Sequence, residues 1–210
     1  MRNVIRLYRA EFSTNCERVE LALGHKDLEV ESVVISYDDR SPVERVSGQG
    51  LVPVIVDGGE VVADSLRILR HLEDRHPDPP LFPSGPAARA EVELFLDWFA
   101  QAWKPTADAL EAELELASPD PATVERLGGE LQGRLGLFEA LLSDREFLHS
   151  DELGAADCAA FPFLKYAALE PDDADDEPFH RLLCDHQRGG RDHPRLRAWI
   201  ERVDALPRGR

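Results

Sequence analysis

Apolar and polar positions change period several times along this chain. Val4-Ile5-Arg6-Leu7-Tyr8 is β-prone and predicts a first strand. Val19, Ala22 and Leu23 then recur at helical spacing, with Gly24 where a helix would end. Val30 to Ile35 predicts a second strand. Pro53 to Val56, the turn Asp57-Gly58-Gly59, and Val61-Val62 predict a hairpin. From Asp64 to His76 the period returns to helical, with Leu66, Leu69 and Leu72 on one stripe and Asp64 or Ser65 as the start signal. The order is β-α-β, a connection, then β-β-α. The first two strands are joined through a helix, as parallel neighbours require.

Four prolines in His76-Pro77-Asp78-Pro79-Pro80-Leu81-Phe82-Pro83 stop the helix and predict a stiff linker over 77–85. No strand pattern recurs after it. Pro86 to Ala117 predicts one long helix kinked at Pro105. Further helices are predicted over 123–142, 155–169, 179–187 and 194–206. Glu170 to Pro178 is acidic and bounded by proline, and predicts a solvated loop. The expected organisation is an α/β domain over 1–76, the linker, and an all-α domain over 86–210.

Lys and Arg number 24 against 41 Asp and Glu, a net charge of −17. That balance argues against a bulk electrostatic hold on nucleic acid or anionic lipid. No apolar run approaches the roughly 18 residues of a membrane span. Met1 to Ala10 carries Arg2, Arg6 and Arg9 and lacks the apolar core of a signal peptide. Three cysteines, Cys16, Cys158 and Cys184, make no disulfide framework, so a cytoplasmic location is expected. His180, Cys184 and His186 have no convincing further ligands, and no metal site is expected.

Three short stretches carry the candidate chemistry. Ser13-Thr14-Asn15-Cys16 opens the first helix. Its polar side chains serve as caps, and the free N–H groups there suit a thiolate that a serine hydroxyl can also hydrogen-bond. Leu51-Val52-Pro53 heads an internal strand, where proline removes a ladder donor; a cis Val52-Pro53 bond would present the Val52 backbone to an extended ligand, a trans bond would mark an edge strand. Val62-Ala63-Asp64-Ser65 runs from strand to helix start and offers donors for an anion, with Asp64 as acceptor for an ammonium.

In their order and spacing these stretches resemble the glutathione transferase superfamily. Residues 1–76 resemble its thioredoxin-like domain, a βαβ-ββα mixed sheet, and 86–210 its all-helical domain. Phe147 to Asp157 resembles the family's capping motif at a buried helix, with Gly154 where Ser or Thr is usual and Asp157 retained. The resemblance implies that Ser13 activates a bound thiol, with Thr14 as the rival seen in zeta-like members. It implies that Val52, beside a cis Pro53, pairs with the cysteinyl unit of glutathione, and that Asp64 and Ser65 hold its γ-glutamyl end. Leu51 stands where a lysine or similar group often meets the glycine carboxylate, leaving that task to Gln49 or Arg40. Cys16 falls at the second cysteine of a dithiol motif, but serine at 13 leaves no dithiol cycle, and a small core residue is the competing reading. Trp98 and Trp103, on the long helix, line either the core or an acceptor pocket for the electrophile.

The expected protein is a cytoplasmic homodimer that conjugates a small-molecule electrophile with glutathione or a similar thiol, without a metal. A glutathione-dependent isomerase of the maleylacetoacetate type and a binding protein without turnover are the two alternatives.

Overall fold

The computed structural model describes residues 4–210. Residues 1–3, including Arg2 of the amino-terminal stretch, and the side chains of residues 190 and 191 lie outside that description. Two compact units form. The first comprises Met1–Arg89, Leu153–Pro162 and Leu206–Arg210; the second comprises Ala90–Glu152 and Phe163–Ala205. The first break falls between Arg89 and Ala90, just past the proline-rich segment, and two later stretches belong to the first unit.

Strands β1 (Ile5–Arg9), β2 (Val30–Val34), β3 (Val54–Asp57) and β4 (Glu60–Ala63) form one sheet in the order β2-β1-β3-β4. β1 and β2 are parallel; the other two pairs are antiparallel. The pattern predicted the parallel first pair and the β3-β4 hairpin, and the whole is the mixed sheet that the resemblance to a thioredoxin-like domain implied. Helices α1 (Thr14–His25) and α3 (Ser65–Arg75) pack together, and α3 also meets β3 and β4. The 35–53 connection holds a helix the periodicity did not reveal, α2 (Ser41–Ser47). It is only two turns long, too short for a helical period to register. Val43 and Val46 of α2 pack with Tyr8, Val54 and Ile35.

Asp57 closes β3 against α3. It is buried, and its Oδ2 meets His71 Nε2 at 3.0 Å and His76 Nε2 at 2.9 Å. Burial alone would raise this carboxyl, but the hydrogen bonds to His76 and His71 outweigh it and hold it below the usual carboxylate range.

The segment 153–162 begins α7 (Ala155–Leu164). Asp157 reaches back to the Gly154 N–H at 3.0 Å, so the capping motif keeps its acidic half. The last residues lie along α1: the Gly209 N–H donates to Glu20 O at 2.8 Å, and Arg208 Nη2 to Glu17 Oε1 at 3.1 Å.

The long helix is not simply kinked. It runs as α4 (Pro86–Trp98), a π-helical turn Phe99–Trp103, and α5 (Lys104–Leu114). Pro105 has no N–H to give, and the ladder passes it by lengthening, with the Lys104 N–H bonded to Phe99 O. Arg134, on α6 (Pro121–Leu141), donates to Ala102 O at 2.9 Å. Phe95, Phe99, Phe138 and Phe163 form an aromatic core. Helices α8 (Pro178–His186) and α9 (Pro194–Asp204) complete the second unit. The acidic loop before α8 is not wholly solvated: Asp175 is buried and bonds His180 Nδ1 at 2.6 Å, while His180 stacks on Tyr166.

Gly24, placed by pattern at the end of a helix, lies inside the last turn of α1. A Cβ there would sit 2.2 Å from the Pro207 backbone oxygen. Alanine in a helix gains about 1 kcal/mol over glycine, but forcing atoms into a packed contact costs about 1–3 kcal/mol and backbone cannot swing aside. Gly24→Ala is expected to lower the unfolding free energy despite its better propensity, by up to about 2 kcal/mol in chemical denaturation. A stabilised variant would show that the terminal segment yields.

Candidate functional site

The sheet topology brings the three candidate stretches to one edge. Val33, Tyr8, Val54 and Ala63 lie in register across the four strands. β1 and β2 run toward that edge, β3 runs away from it and β4 returns. One step beyond the row the chain reaches Arg9, Pro53 and Asp64. Ser13, Val52 and Ser65 follow from strand direction alone.

Ser13 caps α1, its Oγ accepting the Cys16 N–H at 3.3 Å. It is partly exposed, whereas Thr14 is buried. Cys16 is 1% exposed. Burial pushes its thiol up to about 11, against a smaller downward pull from the hydrogen bond with Ser13. The residue is a core thiol in its ground state, and its position offers no nucleophile at neutral pH.

The Val52-Pro53 bond is cis. Val52 lies ahead of the β3 register, which begins at Val54, so its backbone belongs to neither ladder. Leu51 beside it is 71% exposed. The Gln49 side chain folds onto this backbone: its Nε2 donates to Leu51 O at 3.0 Å and its Oε1 accepts the Leu51 N–H. Arg40 Nη1 donates to Gly50 O at 2.8 Å, and the guanidinium lies 5.0 Å from the centre of the Tyr37 ring. Of the two side chains expected to meet a carboxylate here, Gln49 is thus committed to Leu51, while the Arg40 fork keeps further N–H groups.

Asp64 caps α3 with φ +79°, a left-handed backbone rare for a residue other than glycine, and its Oδ1 accepts the Arg67 N–H at 3.0 Å. Ser65 starts α3 and is buried, with its Oγ accepting from Arg18 Nη1 at 3.2 Å. Arg18 escaped the sequence reading. Its one signal is the helical spacing that sets it three residues after Asn15, whose Oδ1 it also meets at 3.1 Å.

Trp98 and Trp103 belong to the second unit. Trp103 is fully buried and stacks on Phe99 at 4.7 Å, so it is a core residue; Trp98 is partly buried beside Phe95 and Phe138.

Two family models match: the glutathione S-transferase N-terminal domain over residues 7–80 and the glutathione S-transferase C-terminal domain over residues 121–202. This chain is a member of the glutathione transferase superfamily. Glutathione S-transferase 3 of Zea mays is 28% identical over 216 residues, covering 97% of this chain and 90% of that protein. FtsZ-localized protein A of Caulobacter vibrioides is 29% identical over 155 residues, 68% of each chain. A crystal structure of a glutathione S-transferase from Rhodospirillum rubrum F11 superposes with a TM-score of 0.75 at 27% identity, covering 97% of this chain and 89% of that one. Of these three similar proteins, two are named as glutathione S-transferases and one for its localisation with FtsZ.

For this member of the superfamily the state of Cys16 is directly measurable. A thiol raised to about 11 is ionised to about one part in ten thousand at pH 7. Iodoacetamide at pH 7.5 is expected to leave Cys16 unmodified in the native protein and to modify it after denaturation, read by mass spectrometry. Rapid native labelling would show a thiolate stabilised at the α1 N-terminus.

Proposed function

We propose that the protein binds glutathione or a closely similar thiol and transfers it to a small electrophile. The observation that carries this reading is the convergence of Ser13, Val52-Pro53 and Asp64-Ser65 on one sheet edge, each in the local conformation the chemistry needs. The thiol's sulfur lies against Ser13, where the hydroxyl and the first N–H groups of α1 favour the thiolate over the thiol. Its extended backbone pairs with Val52. Its γ-glutamyl carboxylate takes the α3 N-terminus and the Ser65 hydroxyl, and its ammonium takes Asp64. The glycine carboxylate takes Arg40. Lowering the thiol pKa and holding the sulfur in place supply the rate. The same reading makes the protein a cytoplasmic homodimer with no metal requirement.

A binding protein without turnover is the second reading. Leu51 favours it, presenting an exposed apolar side chain where a polar contact would serve a tripeptide. So does the similarity to a protein named for its localisation with FtsZ.

Two measurements separate these. With an activated aryl halide as acceptor, Ser13→Ala is expected to lower kcat by about a hundredfold or more, and buried Thr14→Ala much less. A larger loss at Thr14 would favour the zeta-like isomerase arrangement. No turnover in the wild-type protein, with glutathione still bound, would favour the binding reading. Calorimetric titration of Arg40→Ala should show glutathione affinity reduced about tenfold to a hundredfold, the value of one charge-assisted hydrogen bond, with a smaller difference at high salt. An unchanged affinity would remove Arg40 from the site.

A further inference from the structure

Arg18 sits in the second turn of α1 and is 4% exposed. Its Nε donates to Ala159 O on α7 at 2.8 Å, and its Nη1 donates to Asn15 Oδ1 at 3.1 Å and to Ser65 Oγ at 3.2 Å. We propose that Arg18 is a positioning residue for the anion-binding end of the site, setting the Ser65 hydroxyl as a donor toward the ligand carboxylate. This rests on the glutathione reading above and adds which group orients Ser65.

The argument is one of donor inventory. A guanidinium has no acceptor, so in its bond with Ser65 the serine oxygen must accept. A serine hydroxyl has a single hydrogen. Arg18 does not take it, and no acceptor for it is found among the described residues. Ser65 begins α3, so the hydrogen is left at the helix N-terminus together with the first backbone N–H groups. Without the guanidinium the hydroxyl is a free rotor that can present a lone pair to an incoming carboxylate. Arg18 also adds a full positive charge behind the N-termini of α1 and α3, so its field reinforces both helix dipoles.

The test is a double-mutant cycle on the full chain with glutathione as the probe. Ser65→Ala and Arg18→Met are each expected to weaken binding about tenfold, and the double variant no more than either alone. KM for glutathione should rise while kcat changes less than about twofold, since the contact is made before and during the reaction alike. Arg18→Lys, which keeps charge and a donor, should recover part of the loss. Additive losses, or a fall in kcat with KM unchanged, would overturn the proposal by showing that Arg18 supports only the frame.

Where the Arg18 variants do not fold, neutron diffraction on deuterium-exchanged wild-type crystals without glutathione decides the matter. A Ser65 deuteron directed away from Arg18 toward solvent is the expected result; one directed at a protein acceptor overturns it. That measurement also separates the two ideas. A wild-type protein that binds no glutathione refutes the functional reading, and the deuteron position still answers for Arg18.

Discussion

A guanidinium shut away from water must find acceptors for its N–H groups, because an uncompensated buried charge costs several kcal/mol. Arg18 finds them on α1, α3 and α7. Those helices cannot shift independently without breaking a charge-assisted hydrogen bond in a place water does not reach. The contact to Ala159 draws a stretch from late in the chain into the first unit. The contact to Ser65 ties the start of α3 to the first turns of α1, which also carries Ser13. One buried side chain thus fixes the spacing between the two ends of the proposed thiol site.

A second buried cation does for the proline-rich segment what a ladder cannot. Its four prolines supply no N–H groups, yet its carbonyls still need partners. Lys26 Nζ meets His76 O at 2.6 Å, Pro79 O at 2.7 Å and Glu73 Oε2 at 3.2 Å. Burial pushes this amine below its ordinary value, and the Glu73 carboxylate opposes that pull. Glu73 Oε2 also accepts the Leu81 N–H at 2.8 Å, and Leu81 O accepts the Ala155 N–H at 2.8 Å. The chain of bonds runs from α1 through α3 and the linker to the start of α7, so the linker is stiff because it is bonded as well as because it is rich in proline.

The local electrostatics of the site run against the net charge. A chain carrying −17 keeps guanidinium groups at Arg18 and Arg40 beside the sheet edge where the three stretches meet. Desolvation gives the buried one more weight than surface carboxylates, which salt and water screen. The same desolvation silences the thiols: burial is the leading cause of the upward shift at Cys16, Cys158 and Cys184 alike.

Local rules determined a good deal by themselves. The element order β-α-β then β-β-α, the hairpin at Asp57-Gly58-Gly59 and the polar helix starts at Ser13 and Asp64 each follow from a few adjacent residues, whereas those residues left the Val52-Pro53 bond open between cis and trans. The meeting of the three stretches follows from strand direction once pairing between distant residues has set the sheet order β2-β1-β3-β4. Tertiary structure decided the rest. Helix α2 is too short to show a period. Gly24 falls at the end of α1 as its pattern suggested, but the close approach of the Pro207 backbone, far along the chain, has no local signal. Trp103 shares its helical pattern with residues that line surfaces, and only the packing of Phe99 and Phe163 encloses it. Asp175 reads as one more acid in a solvated run until His180 buries it. Arg18 carries no local signal of its burial, which comes with partners on α3 and α7. Each of these depends on partners from distant parts of the chain, and no rule confined to neighbouring residues can anticipate which charges a fold will enclose.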